Sequence, residues 1–144
     1  MVDLQIDTGA VRLSISVDGQ NGREIKFNPH DLIFVEKIHR LYFDLKAKHT
    51  EYQNIKALET SDEMPEDISG VIGPIRELNL WFRGQIDSLL GEGTAQAIFG
   101  DVLFADEKLG VYFQLLDAVI SYTAPVRAEK IEKYLPPKKT RKRK

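Results

Sequence analysis

Three histidines, His30, His39 and His49, are the side chains best suited to acid–base work or metal ligation. None stands four residues from another, so no pair puts two rings on one turn of helix, the spacing a zinc site favours. His39 falls on the flank of an apolar helical stripe and His49 near its centre, which makes both boundary residues rather than ligands. The chain has no cysteine, which excludes thiol nucleophiles, thiolate metal sites and disulfides. Gly91-Glu92-Gly93 has the look of a phosphate-cradling fragment, yet it follows a helical pattern and lacks the lysine of a P-loop. It is a helix stop and turn. No Gly-x-Ser-x-Gly elbow is present. The acidic pairs Asp62-Glu63 and Glu66-Asp67 fall in a polar break, where solvated charge is their ordinary role. Nothing assembles an active site, so no enzyme, no cofactor and no metal are expected.

The charge distribution is uneven. Six of the 20 basic residues stand in the last seven positions: Lys138, Lys139, Arg141, Lys142, Arg143 and Lys144. Residues 1–137 hold 14 basic against 22 acidic residues, a net −8 beneath an overall −2. Like charges at that density repel, and they bring no apolar surface to bury, so residues 136–144 are expected to form a disordered basic tail beginning at Pro136-Pro137. Such a tail has the charge to touch nucleic acid, weakly and without sequence preference. No aromatic residue is interleaved with it, and the body beside it is acidic.

The elements that would position any site follow from periodicity. Val11, Leu13, Ile15 and Val17 alternate with Arg12, Ser14 and Ser16, the period of a half-buried strand. Asp18-Gly19-Gln20-Asn21-Gly22 supplies turn residues, and Ile25 and Phe27 resume the alternation, so 11–27 is a β-hairpin. Leu4 and Ile6 extend it to a short third strand. Asn28 or Asp31 caps a first helix, whose stripe of Phe34, Val35, Ile38, Leu41, Tyr42, Leu45 and Tyr52 runs to about residue 58. A second helix carries Val71, Ile75, Leu78, Phe82, Ile86 and Leu89 on one side, its regular part starting at Pro74. Thr94–Phe99 is a short helical turn stopped by Gly100. A last helix from about Glu107 aligns Leu109, Tyr112, Phe113, Leu116, Val119 and Ile120. Pro125 should kink or break it, leaving Ala128–Leu135 as a separate or bent piece.

The fold class is therefore α+β, mostly α-helical: an N-terminal β-hairpin (1–29) packed on a small helical bundle (30–135), one domain of 1–135. No apolar run approaches the ~20 residues of a membrane span, and no basic stretch followed by an apolar one marks a secretory leader. The expected setting is cytoplasmic.

Seven apolar residues fall off the stripes: Ile33 and Phe43 on the first helix, Leu80 and Trp81 on the second, Val111, Leu115 and Tyr122 on the last. A second apolar face on several helices means burial on two sides, with the hairpin as cover, or a surface for a partner.

Ile25-Lys26-Phe27-Asn28-Pro29 with Asp31, leading into the aromatic-bearing helix at Phe34, resembles the opening of the small tail assembly chaperones of long-tailed bacteriophages. Glu92-Gly93 before Ala97-Ile98-Phe99-Gly100, and later Lys130-Ile131-Glu132-Lys133-Tyr134, are similar to their middle and end. The similarity spans roughly residues 25–135; the long hairpin and the basic tail depart from the pattern. The resemblance implies a non-enzymatic chaperone that coats the helical tape measure protein, or another helical phage protein, in the host cytoplasm. A homo-oligomer is among the expected assemblies. The alternative is a small phage or bacterial regulatory protein whose basic tail contacts nucleic acid.

Overall fold

The computed structural model describes residues 2–58 and 68–134, in the order hairpin then helices. Strands β1 (Val11–Val17) and β2 (Gln20–Phe27) pair antiparallel, with Val11 opposite Phe27 and Leu13 opposite Ile25. Asp18 and Gly19 both take positive φ, 53° and 77°, the two-residue turn whose twist suits a hairpin. The turn is thus shorter than the Asp18–Gly22 segment expected, and Gln20–Gly22 belong to β2. Between Ser14 and Ser16 the register slips by one residue, a bulge on the β2 side. Gly22 sits there because a β-carbon would run into the carbonyl oxygen of Ile15.

The third strand does not form. Leu4 and Ile6 are exposed, and residues 2–10 have no strand structure. A turn at Gly9, whose N–H donates to Asp7 Oδ1 at 2.9 Å, redirects the chain. Asn28 Nδ2 then ties down the Thr8 carbonyl at 2.9 Å. Side chains of Asp7 and Asn28 thus bond the backbone of Gly9 and Thr8 in place of a strand partner.

Helix α1 (Leu32–Leu58) starts at Asp31, whose Oδ1 accepts from the N–H groups of Ile33 at 3.0 Å and Phe34 at 3.3 Å. Asn28, the other candidate cap, instead accepts from the His30 N–H at 2.8 Å within its own turn. Helix α2 (Ser69–Leu90) begins five residues before Pro74, earlier than expected. The hydrogen bond that Pro74 cannot make would go to Gly70, which is exposed, so water can satisfy that carbonyl. Gly91 (φ 114°) ends α2, and α3 (Thr94–Phe99) follows at once. A single 3-10 turn (Asp106–Lys108) leads into α4 (Gly110–Tyr134). Pro125, expected to kink or break the last helix, does not break it, and α4 is one helix through it. The carbonyl that loses its partner is that of exposed Ser121, again within reach of water.

α1 packs on α2 and on α4, while β2 lies against α3 and α2. One apolar cluster joins all of them. At its centre are Ile38 and Leu45 of α1, Phe82 and Ile86 of α2, and Leu109 with Tyr112, Leu116 and Val119 of α4, all inaccessible to solvent. Ile25 and Phe27 dock the hairpin into the same cluster, with Phe27 stacked on Phe34 at 5.5 Å. The fold is a two-stranded hairpin on a helical bundle, α+β and mostly helical. Among the described residues no helix is long and apolar enough to cross a membrane.

Candidate functional site

The fully buried polar side chains Asn79, Thr94 and Thr123 are occupied with holding the bundle together. Asn79 of α2 is fully buried on the apolar side of its helix, four residues after Ile75 and three before Phe82. Its Nδ2 donates to the carbonyls of Ile75 (2.8 Å) and Phe104 (2.9 Å). Its Oδ1 accepts from the Phe104 N–H (2.8 Å) and the Tyr112 hydroxyl (2.5 Å). Every hydrogen-bonding position of the amide is filled, so Asn79 fastens the loop before α4 to α2 and has nothing left for a ligand. Sequence reasoning passed over it, although a polar residue in register with Ile75, Phe82 and Ile86 was a visible signal. Burial pushes the Tyr112 phenol above its ordinary value, against the opposing pull of the nearby Arg83 guanidinium. Arg83 in turn bonds the carbonyls of Gly100 and Val102 and the Gln96 side chain.

The histidines do not converge. His30 is exposed, and His39 Nε2 lies 3.1 Å from Thr123 Oγ1, bridging α1 to α4. His49 has a buried Nε2 with no hydrogen-bond partner among the described residues, and its ring lies 6.4 Å from that of Phe113. Among the described residues no three His, Cys, Asp or Glu side chains gather to hold a metal ion. Gly91-Glu92-Gly93 is a helix junction, where Asp87 Oδ1 accepts the Ala95 N–H at 2.9 Å. The Asp62–Asp67 pairs and the basic tail lie outside the described residues.

What remains is surface. Of the seven off-stripe residues, Ile33 (65%), Phe43 (63%), Leu80 (54%) and Tyr122 (42%) are exposed. Trp81 and Val111 are half-buried against the core. Leu115 is a correction: at 7% exposure it belongs to the core and cannot meet a partner. A 25-residue helix surrounded on more than one side buries a wider arc than the single stripe Leu109–Ile120 implied. The exposed four belong to three helices, Ile33 and Phe43 to α1, Leu80 to α2 and Tyr122 to α4. Phe43 leans edge-on against Tyr42 at 5.7 Å, and Tyr122 against Phe27 at 5.8 Å.

A groove of about 420 Å³ opens between α1 and α2. Lys48, Glu51, Tyr52 and Ile55 line it from α1; Pro74, Glu77, Leu78 and Trp81 line it from α2. The Lys48 ammonium sits 4.8 Å from the centre of the Trp81 ring, a cation–π contact that holds the indole at the groove wall. An aromatic and aliphatic lining with the charged side chains of Lys48, Glu51 and Glu77 beside it can take up an extended or helical peptide.

Residues 21–144 match the model of a family described as of unknown function, DUF6673. The chain belongs to that family. The match begins inside β2 and takes in all helices, the groove, the exposed apolar residues and the basic C-terminus, while β1 lies outside it. No curated protein and no solved structure matches the chain. Membership of DUF6673 carries no activity with it.

Proposed function

We propose that this DUF6673 member works by binding protein rather than by catalysis, as a tail assembly chaperone that keeps a helical client, the tape measure protein, in solution in the host cytoplasm. The observation that carries the reading is the exposure of large apolar side chains in the middle of well-packed helices, Phe43 on α1 and Leu80 on α2 above all. Burying one such side chain is worth roughly 1.5–3 kcal/mol. A client covering several of them could offset the entropy lost in ordering the complex. Amphipathic helical segments are the natural occupants, because anchors at helical spacing meet outward apolar residues without demanding a deep pocket. The likeness of residues 25–135 to tail assembly chaperones supports the choice of client.

The test is a charge on the outer face against a charge in the core. Phe43→Glu and Leu80→Glu should stay soluble and helical when expressed alone, since an exposed carboxylate costs little. Ile38→Glu buries one and should unfold the bundle, at a cost of several kcal/mol. The outer variants should fail to hold a co-expressed tape measure segment in solution. If both retain the client as well as the wild type does, the proposed surface is not used.

A further inference from the structure

We infer that the α1–α2 groove receives the C-terminal segment 135–144 of a second copy of this chain, joining copies head to tail. The inference does not depend on the client-binding reading, which uses the outward residues Phe43 and Leu80.

The groove and the segment are complementary in two respects. Its wall combines the Trp81 indole with Tyr52, Ile55 and Pro74, and the segment opens with Leu135-Pro136-Pro137. Consecutive prolines hold an extended backbone at little entropic cost, and aromatic-lined grooves are their usual seat. The second respect is charge. Lys48 is engaged by Trp81, whereas Glu51 and Glu77 are in no ion pair among the described residues. The cations that follow the prolines, Lys138 and Lys139, would meet those carboxylates, and residues 1–137 as a whole carry −8.

Geometry decides which copy supplies the segment. Phe113 packs on Tyr42 (5.4 Å) and His49, and Thr123 meets His39, so α4 runs antiparallel to α1. From Thr123 the helix continues to Tyr134, carrying its end about 16 Å further from the groove at 1.5 Å per residue. Lys48 to Ile55 lie about 14–24 Å on the other side of His39 by the same rise. The segment would have to return about 30 Å or more to reach its own groove. Pro136 and Pro137 stand two and three residues past Tyr134 and reach at most about 11 Å from it, so they fall short. A neighbouring copy has no such restriction. A contact between two different surfaces is heterologous and closes into a ring or extends into a filament.

Trp81 is the chain's one tryptophan, so its emission reports on the groove directly. Sedimentation velocity of the full chain at low salt should show mass rising with concentration, with Trp81 emission shifting in parallel. Glu51→Lys/Glu77→Lys and Lys138→Glu/Lys139→Glu change only groove-rim and tail charges. Each should weaken self-association roughly tenfold or more, and mixing the two should restore it. Three results would overturn the inference: a wild type that stays monomeric with constant emission, variants that remain monomeric when mixed, or a tail-dependent emission shift that ignores concentration. The last would mean that each segment occupies its own groove.

Discussion

A buried polar group is tolerable only when its partners are in place, and Asn79 is where this fold depends most on that condition. Asn79→Ala would strand the Tyr112 hydroxyl and both backbone groups of Phe104. At about 1–3 kcal/mol for the buried hydroxyl left unsatisfied, and less for each of the part-buried Phe104 groups, the loss should be on the order of 2–3 kcal/mol. A urea or thermal melt would read this as a large fall in midpoint, and a variant within error of wild type would mean that water replaces the amide. Tyr112 adds a pH dependence. Its phenol is held above the ordinary value near 10, so the unfolded chain gives up this proton at lower pH than the folded one. The stabilisation is complete below about pH 10 and declines as pH rises from there toward the folded value. Tyr112→Phe should flatten this part of the alkaline stability profile; an unchanged profile would place the titrating group elsewhere.

At the level of elements, α1 begins where a side chain answers free backbone groups, whereas α2 and α3 end at Gly91 and Gly100 through backbone bonds. Asp31 alone receives two N–H donors at the start of α1, so Asp31→Ala should cost about 1 kcal/mol and fray the first turn. Hydrogen exchange at Ile33 and Phe34 is the sensitive measurement, and unchanged protection there would remove Asp31 from the role. Pro74 and Pro125 show the opposite case. Each deletes one helical hydrogen bond, and at both sites the orphaned carbonyl belongs to an exposed residue. The helices therefore continue through residues that would break them in a dry interior. The hairpin is fixed by positive φ at Asp18 and Gly19, while ahead of it the Gly9 N–H bonds Asp7 and the Thr8 carbonyl bonds Asn28.

Across the whole molecule, an acidic body ending in a basic segment sets the terms for any partner. Long-range attraction of this kind is screened over about 8–10 Å at ordinary ionic strength, so it steers encounters more than it fixes affinity. Nucleic acid should bind the full chain only weakly at low salt. The logarithm of its affinity should fall with log salt at a slope no steeper than ~5, the limit for six neutralised phosphates. Tight, sequence-selective binding at physiological salt, measured by fluorescence anisotropy, would favour the regulatory alternative over the chaperone proposal.

Periodicity and capping chemistry were sufficient, by themselves, to locate the hairpin 11–27, the long first helix to Leu58, the stop at Gly91 and Gly100, and most of the core from Phe34 to Val119. These depend on interactions within a few residues, which any sequence displays. Tertiary contacts decided the rest. Leu115 left the proposed surface because α4 is covered over a wider arc than one stripe, and nothing local encodes how many neighbours a helix has. Asn79 became a structural hub only because Phe104 and Tyr112, 25 and 33 residues away, come to lie beside it. The groove is equally non-local, since Trp81 acquires its place from Lys48 on a different helix. A side chain's burial and partners are properties of the packed assembly, and α1, α2 and α4 had to meet before any of them was determined.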